Sequence, residues 1–271
     1  MQEYTYDKNL PILFFDSGVG GLPYVMHARK RLHNERFIYL ADRKNFPYGE
    51  KSVSEVKRAV FSAVSGILQV EKPKVAVIAC NTASVVTLES LRAKFKFPFV
   101  GVVPAVKPAS KSSRDGKIAV LATLRTTEDL YLQNLINSFA QGKEVRRFAE
   151  GNLVEFVEKK YFESSEREKH AILENALDEV KKSGFSTVVL GCTHFLLLED
   201  ELGEVLGKGI SLIDSREGVT NQLIRILGDN NLMSKCKKGK DKFYVTGSNA
   251  VEKRYSLFAE KFGFETVERI F

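Results

Sequence analysis

Short apolar runs alternate along the chain with longer stretches in which apolar residues recur at helical spacing. The run LPILFFD at 10–16 is typical of a buried strand, and VSEVKRAVFSAVSGILQ at 53–69 has the period of an amphipathic helix. Strands of β-branched residues that alternate with helices indicate parallel sheets covered by helices. The pattern predicts strands at 10–16, 37–42, 74–80, 97–103, 117–123, 144–149, 186–192, 210–215 and 242–247, and helices at 22–32, 53–69, 84–95, 127–140, 166–183 and 251–263.

The order of elements restarts after the fourth strand, and the two halves carry similar local sequences. VAVIACNT at 75–82 can be overlaid on TVVLGCTH at 187–194, so that each half has a buried strand, a small residue, a cysteine and two polar or titratable residues. In open parallel sheets, ligands bind beyond the carboxyl ends of the strands. The sequence therefore predicts two halves of similar α/β topology, with Cys80 and Cys192 at corresponding strand ends.

Both cysteines are expected near the amino-terminal ends of the helices that follow them, where backbone N–H groups favour a thiolate. Two thiols on two domains suit the removal of a proton from one face of a carbon and its return to the other face. Three less favoured alternatives stay open from the residues alone. They are a small hydrophobic cysteine in a core, a nucleophile formed by Cys192 with His194, and a redox pair.

The charge of the chain raises a second class of function. The formal net charge of +7 suits either nucleic-acid binding or the attraction of small anionic substrates. The basic residues are scattered, and the densest cluster, KCKKGKDK at 235–242, is typical of a solvated loop. No concentrated basic helix or aromatic stacking motif accompanies it, so no nucleic-acid partner is expected.

Cysteine usage and apolar run lengths bear on compartment. Three cysteines without a CxxC pair argue against a disulfide framework and against a structural zinc site. The start of the sequence lacks the pattern of a signal peptide, and no apolar segment approaches the length of a membrane span. A soluble, cytoplasmic chain without a membrane partner is therefore expected, and Cys236 is given no role.

Five motifs follow one another along the chain, with LIDSREGV at 212–219 as a weaker sixth. They are FFDSGVGGL at 14–22, NFPYGEKS at 45–52, VIACNTAS at 77–84, VVPAVKPA at 102–109 and LGCTHFLLL at 190–198.

In these motifs and their order, the sequence resembles the glutamate racemases of the cofactor-independent aspartate/glutamate racemase superfamily over nearly its whole length. The resemblance implies two pseudo-symmetric α/β domains, each a mostly parallel sheet flanked by helices, with the active site between them. It also implies that the last segment returns to the first domain. The first domain would then comprise 1–104 and 216–271, and the second 105–215.

The resemblance further implies catalytic roles for the matched residues. Cys80 and Cys192 would be the two acid/bases, each acting on the α-proton of one glutamate enantiomer. Asp16 would assist Cys80, and His194 would assist Cys192. The alternatives are that Asp16 is a helix N-cap before the GVGG turn and that His194 is a hydrogen-bonded core residue.

A third assistant in this family is a glutamate, in a segment that matches AEGNLVEFVE at 149–158. The match assigns the role to Glu158, with Glu155 as the rival and a solvated helix residue as the alternative. The family's Cys-Pro pair is Glu150-Gly151 in this chain. A second departure is Leu196, where the family has proline; it lies past the reacting groups, so we expect it to affect the helix start rather than the chemistry.

Substrate contacts follow from the same match. Hydroxyls, side-chain amides and N–H groups at helix starts bind carboxylates, although for Tyr48 packing in a loop is an equal alternative. GVGG lacks the spacing of a dinucleotide fingerprint and the Lys-Ser/Thr of a P-loop, so it is interpreted as a tight turn that leads into a helix. The implied contacts are Asp16, Ser17, Tyr48, Gly49, Asn81, Thr82, Thr193 and His194.

The activity that the resemblance implies is the interconversion of L- and D-glutamate, without pyridoxal phosphate or any other cofactor and without a metal. It would supply D-glutamate for bacterial peptidoglycan. Aspartate as the substrate is one alternative, and a non-enzymatic binding module or nucleic-acid-associated protein is another. The sequence leaves the oligomeric state open, and a homodimer is the assembly considered.

Overall fold

The computed structural model describes residues 7–271, which divide into two compact units. One unit comprises the described chain up to Val102 together with Arg216–Phe271, and the other comprises Val103–Ser215. Each unit is built on a parallel β-sheet flanked by helices, as the apolar pattern predicts, and this fold class is confirmed. No helix within residues 7–271 combines the length and the apolar character needed to cross a bilayer.

Most strands lie within the predicted runs and are shorter than them, whereas β6 has the predicted bounds and β10 was not predicted. They are β1 (Ile12–Asp16), β2 (Phe37–Ala41), β3 (Val75–Ile78), β4 (Phe99–Gly101), β5 (Lys117–Ala122), β6 (Glu144–Ala149), β7 (Thr187–Leu190), β8 (Ser211–Ile213), β9 (Lys242–Thr246) and β10 (Val267–Ile270).

Helices connect the strands, as the crossover connections of parallel sheets require. They are α1 (Leu22–Arg29), α2 (Val53–Ile67), α3 (Asn81–Lys94), α4 (Val106–Ser112), α5 (Leu124–Glu128), α6 (Leu130–Phe139), α7 (Asn152–Lys160), α8 (Glu166–Ser183), α9 (Glu199–Leu206), α10 (Arg216–Asp229) and α11 (Lys253–Lys261), with 3₁₀ helices at Arg43–Asn45 and Thr193–Leu198.

The sheet of the first unit has the strand order β10-β9-β2-β1-β3-β4, and every neighbouring pair is parallel. Strand β1 is buried along its whole length because β2 and β3 flank it and helices cover the sheet. Ile12 pairs with Phe37 of β2 and with Val75 of β3. The carboxyl ends of these three strands therefore lie at one edge of the sheet.

The sheet of the second unit has the order β6-β5-β7-β8, again with parallel neighbours throughout. Its two central strands, β5 and β7, are almost completely buried. Leu121 of β5 pairs with Leu190 of β7, so the residues that follow these strands, Thr123 and Cys192 among them, lie at the same edge.

Helix α8 begins and ends where the sequence predicts. Ser165 and Glu168 form a reciprocal capping box at its start, in which each side chain accepts the backbone N–H of the other residue. Gly184 terminates the helix in the left-handed conformation, at φ 67°, which a glycine adopts without steric cost. Local sequence alone therefore fixes both of its ends.

Three features depart from the predicted elements. The helix predicted at 127–140 is broken at Asp129, whose carboxylate accepts the N–H of Tyr131 at 2.9 Å and so caps α6 as a separate helix. The pattern also missed the helices α4, α7 and α10 and the strand β10. The segment after Cys192 forms a 3₁₀ helix first, and an α-helix begins only at Glu199.

A buried ion pair joins segments at the amino-terminal end of the first sheet. Lys74, just before β3, donates to the Glu35 carboxylate, and both side chains are almost completely buried. The Lys74 ammonium also donates to the Leu232 carbonyl at 2.8 Å, and Glu35 accepts the N–H of Ser234 at 2.8 Å. Burial lowers the pKa of Lys74, and the neighbouring carboxylate opposes that shift.

We expect Glu35→Gln to destabilise the protein by about 3 kcal/mol, because it leaves a buried ammonium without its counter-charge. Urea unfolding followed by circular dichroism measures the change. The matched control is Glu265→Gln, which breaks an exposed ion pair with Lys240 in the same unit and should cost much less. Equal losses in the two variants would show that burial does not determine the contribution of the Lys74 pair.

Candidate active site

The carboxyl ends of β1 and β3 bring two predicted site segments together in the first unit. Phe15 and Ile78 are paired neighbours, so Asp16 and Cys80 follow paired positions of adjacent strands. The backbone reinforces this register, because the N–H of Ala79 donates to the carbonyl of Phe15 at 2.6 Å. Parallel pairing thus puts a carboxylate and a thiol at the same edge of the sheet.

Asp16 organises the turn that follows β1. Its Oδ1 accepts the N–H of Gly18 at 2.8 Å and the hydroxyl of Ser17 at 3.3 Å, and the carboxylate is buried. Helix α1 begins only at Leu22, with Gly21 at its N-cap and no side-chain capping bond. The alternative interpretation of Asp16 as a helix N-cap is therefore wrong, whereas GVGG is the tight turn before a helix that the sequence predicts.

Cys80 is a buried free thiol at the N-cap of α3. Its Sγ lies 3.9 Å from the Ser17 hydroxyl, which connects it to the Asp16 turn. The backbone of Cys80 is extended, at φ −137° and ψ 121°, and it places the thiol at the start of a helix of 14 residues. The N–H groups at a helix start favour negative charge, so this position suits a thiolate.

The two residues after Cys80 open α3 and are buried. Thr82 lies in the first turn of the helix. Asn81 is more informative, because neither the oxygen nor the nitrogen of its side-chain amide has a hydrogen-bond partner within residues 7–271. A buried amide without partners is costly, and a bound ligand with polar groups would offset that cost.

Tyr48 lies at the same edge and is anchored to a residue that sequence reasoning missed. It follows a cis Phe46–Pro47 bond, and its hydroxyl donates to the buried carboxylate of Asp42, directly after β2. The same carboxylate accepts the hydroxyl of Thr246, at the end of β9, at 2.7 Å. The available signal was an aspartate at the end of a predicted strand. Gly49, next to Tyr48, is partly buried.

Burial sets the protonation of this pair. Desolvation is the largest influence on Asp42 and raises the pKa of its carboxyl, although the hydrogen bonds it accepts oppose the shift. Desolvation, followed by the negative charge of Asp42, raises the pKa of Tyr48 well above 10. The Tyr48 hydroxyl therefore stays protonated and keeps donating over the physiological pH range.

In the second unit, the side chains of three predicted site residues contact one another in sequence. Cys192 follows β7, and its Sγ lies 3.9 Å from Nδ1 of His194. Nε2 of His194 lies 2.9 Å from Oε1 of Glu158, on α7. All three side chains are buried. With the Nε2 proton directed at the carboxylate, Nδ1 is the nitrogen that can accept a proton from the thiol.

The structure separates the two candidate glutamates of α7. Glu158 is buried against His194, whereas Glu155 is exposed and pairs with Lys159 one turn along the helix. Glu155 and Lys159 lie on the solvent side, and Leu153, Val154 and Val157 are buried with Glu158. Glu158 is thus the carboxylate beside the histidine.

The other predicted residues that follow β7 in the second unit are buried as well. Thr193 and His194 open the 3₁₀ helix, and Leu196 lies within it. Sequence reasoning missed a cluster of buried hydroxyls after the neighbouring strand β5, where Thr123 donates to the hydroxyl of Thr126 at 3.1 Å. The signal for it was the run of threonines in ATLRTT, immediately after a predicted strand.

Metal-ligating side chains do not converge in the part of the chain that the structure describes. Among residues 7–271, no group of three or more His, Cys, Asp or Glu is arranged to hold a metal ion. The cysteines are free thiols, with Cys80 and Cys192 buried and Cys236 exposed. The chemistry that the described groups offer is proton transfer by thiols, an imidazole and carboxyl groups.

A family model and proteins of similar sequence relate this chain to amino-acid racemases. The family model for Asp/Glu/hydantoin racemases matches residues 24–223. The glutamate racemase of Clostridium novyi (strain NT) is 40% identical over 245 residues, which cover 90% of this chain and 93% of the relative. That of Clostridium botulinum (strain Alaska E43 / Type E3) is 36% identical over 251 residues, which cover 92% and 96%.

A solved structure extends the similarity to the fold. The crystal structure of Escherichia coli glutamate racemase, in complex with L-glutamate and the activator UDP-MurNAc-ala, superimposes with a TM-score of 0.85 at 33% identity. The match covers 96% of this chain and 98% of the Escherichia coli chain. The similarity therefore includes both units.

We expect Tyr48 to weaken folding at alkaline pH. Its pKa is well above 10 in the folded protein but about 10 in the unfolded chain. The stability that the protonated hydroxyl contributes is therefore fully present below about pH 10 and is lost as the pH rises further, because the unfolded state then binds fewer protons. Tyr48→Phe should make the decline in the free energy of unfolding shallower, by up to about 1.4 kcal/mol per pH unit.

Urea unfolding between pH 8 and pH 11 measures that slope. The control is Tyr131→Phe, which removes the hydroxyl of an exposed tyrosine from the second unit. The same change of slope in both variants would contradict a specific effect of the buried Tyr48.

Proposed function

This chain belongs to the Asp/Glu/hydantoin racemase family, and we propose that it interconverts L-glutamate and D-glutamate. The relatives that match most of its length are named glutamate racemases, and the Escherichia coli structure of similar fold contains L-glutamate. The chain is thus an amino-acid racemase, an isomerase. Its substrate and mechanism are the proposal.

The observation that carries the proposal is that each unit holds a buried thiol at the end of a central strand, beside a titratable group. In the first unit, Cys80 adjoins Ser17 and the Asp16 turn. In the second, Cys192 adjoins His194 and Glu158. Racemisation requires an acid and a base that exchange roles in the reverse direction, and two thiols meet that requirement.

In the proposed reaction, one thiolate removes the α-proton of glutamate, and the electron pair of the C–H bond remains on the α-carbon. The other thiol then donates its proton to the opposite face of the carbanion and becomes a thiolate. The product is the other enantiomer, and the two sulfurs have exchanged protonation states. Cys80 would act on one enantiomer and Cys192 on the other.

Each thiol would be assisted by its neighbours. His194 would accept the proton of Cys192 at Nδ1, and Glu158 would stabilise the resulting imidazolium from Nε2. On the other side, Asp16 would hold Ser17 and the turn in position next to Cys80. Because both sites are buried, charges that develop during the reaction are weakly screened.

The proposed substrate contacts are groups that suit carboxylates and an ammonium. Asn81 supplies a buried amide without a protein partner within residues 7–271, and Thr82 and Thr193 supply hydroxyls at helix starts. Ser17, Tyr48 and Gly49 complete the set, together with Asp16 and His194. We also propose that the D-glutamate formed is used in bacterial peptidoglycan.

We expect Cys80→Ser and Cys192→Ser each to lower racemisation by about 10²–10⁴-fold, because each removes one of two required acid/bases. Circular dichroism of purified protein with L- or D-glutamate measures the rate. In deuterated water, each variant should retain α-proton exchange with only one enantiomer, and the two variants should retain it with opposite ones. Cys236→Ser is the control and should keep full activity, since that thiol is exposed and outside both sites.

If Cys80→Ser or Cys192→Ser kept full activity in both directions, the proposed mechanism would be contradicted. Formation of D-aspartate rather than D-glutamate by the unmodified protein would contradict the proposed substrate.

The two glutamates of α7 provide a matched pair. Glu158→Gln should lower kcat/KM about tenfold or more, because an amide stabilises a positively charged His194 less well than a carboxylate does. Glu155→Gln should change kcat/KM less than about twofold, since it alters only an exposed ion pair with Lys159. If the larger loss came from Glu155→Gln, the assignment of the assisting carboxylate would be reversed.

A further inference from the structure

The hydroxyl of a buried tyrosine forms hydrogen bonds with the GVGG turn. Tyr39 lies in β2, opposite Phe14 of β1, and its side chain is completely buried. Its hydroxyl donates to the carbonyl of Gly18 at 2.7 Å and accepts the N–H of Gly21 at 3.1 Å. One hydroxyl therefore bonds to both ends of the turn that separates β1 from α1.

The ring of Tyr39 is fixed by its surroundings. It packs edge-on against Phe243 of β9, with ring centroids 4.9 Å apart. Since neither the backbone of β2 nor the ring can shift without disturbing the sheet, the hydroxyl is a rigid anchor point for the turn. A phenol is well suited to this, because it can donate and accept at the same time.

Ala79, the residue before Cys80, also packs closely against the turn. A Cβ atom added at Gly21 would lie 2.8 Å from the Cβ of Ala79 and 3.0 Å from the Tyr39 hydroxyl, closer than carbon atoms normally approach. Gly21 therefore allows the turn to fit between Tyr39 and the residue that precedes Cys80. The position of the turn and that of the thiol are coupled through this contact.

A continuous series of contacts leads from Tyr39 to the thiol. Tyr39 fixes the Gly18 carbonyl, and the Gly18 N–H donates to Asp16 Oδ1 at 2.8 Å. The same oxygen accepts the Ser17 hydroxyl, which lies 3.9 Å from Cys80 Sγ. A displacement of Gly18 would thus move the Asp16 carboxylate and the Ser17 hydroxyl relative to the sulfur.

We propose that Tyr39 is a positioning residue for the Cys80 half of the reaction, acting through the Gly18–Gly21 turn on Asp16 and Ser17. It does not touch the reacting atoms. This inference rests on the proposed two-thiol racemisation, and it adds that proton transfer at one sulfur depends on a hydroxyl within the sheet. Loss of that hydroxyl should slow proton transfer at Cys80 and leave transfer at Cys192 unchanged.

Tyr39→Phe tests this with the shape of the core retained. We expect kcat/KM to fall about tenfold, since the turn loses two buried hydrogen bonds. The fall must be equal for both enantiomers, because their equilibrium constant is one. The primary deuterium isotope effect on kcat/KM distinguishes proton transfer at Cys80 from proton transfer at Cys192. It is measured separately with L- and D-glutamate deuterated at the α-carbon.

The isotope effect should increase for the enantiomer whose α-deuteron Cys80 removes, because that step becomes more rate-limiting. It should decrease for the other enantiomer, whose deuteron is removed at Cys192. Cys80→Ser and Cys192→Ser identify the two patterns, and Tyr39→Phe should follow the pattern of Cys80→Ser. A general loss of stability would lower the rate without shifting the two isotope effects in opposite directions.

Tyr244→Phe is the matched control. Tyr244 lies in the neighbouring strand β9, and its hydroxyl bonds to Glu71 at 2.9 Å instead of to the turn. This variant should leave both isotope effects unchanged. Unchanged isotope effects in folded Tyr39→Phe, or a shift toward the Cys192→Ser pattern, would overturn the inference.

Gly21→Ala provides a second route that keeps the tyrosine. Its added methyl group presses against Ala79 and the Tyr39 hydroxyl, and should shift the isotope effects in the same direction as Tyr39→Phe. If Tyr39→Phe does not fold, this variant decides the question by the same criterion. Absence of racemisation in the unmodified protein would instead contradict the proposed function, so the two failures can be told apart.

Discussion

The parallel register of neighbouring strands is the constraint on which the candidate active site depends. In the first unit, β1 pairs with β2 on one side and β3 on the other, and all three end at one edge of the sheet. Asp16, Asp42 and Cys80 therefore lie at the same edge although they are far apart in sequence. The pairing of β5 with β7 does the same for Thr123 and Cys192. A one-residue slip in either sheet would turn these side chains to the opposite face.

Burying polar groups at these sheet edges costs free energy, and hydrogen bonds to neighbouring residues offset that cost. Buried carboxyl, phenol and imidazole groups are costly unless each has a partner. Asp42 receives hydrogen bonds from Tyr48 and Thr246, and His194 is held between Cys192 and Glu158. Partners that satisfy these groups also restrict their movement, so the same bonds that permit burial fix the geometry. Asn81 differs, because its amide has no partner within residues 7–271.

Features encoded by neighbouring residues could be predicted from the sequence. The ends of α8 follow from Ser165, Glu168 and Gly184, and the strand cores follow from unbroken apolar runs. The corresponding positions of Cys80 and Cys192, each shortly after a buried strand of its own unit, also follow from local patterns. The break at Asp129 is a local signal too, but the apolar period continues across it, and only the capping bond to Tyr131 separates the two helices.

Contacts between distant segments could not be predicted in this way. Thr246 reaches Asp42 across 204 positions, and the bond exists only because β9 pairs with β2. Glu155 and Glu158 are chemically identical, and what distinguishes them is the element packed against each. The i, i+4 spacing of Glu155 and Lys159 was a weak indication of the solvent side. The role of Tyr39 in holding the turn depends on the fold in the same way.

The pairing of β9 with β2, and of β10 with β9, affects how the chain can fold as it is made. Strand β2 has no neighbour on its outer side until residues 242–246 leave the ribosome, after the whole of the second unit has been synthesised. The segment Val103–Ser215 forms its own compact unit and emerges earlier. During translation, the second unit can therefore be complete while the first still exposes an open strand edge, which is a surface prone to pairing with other chains.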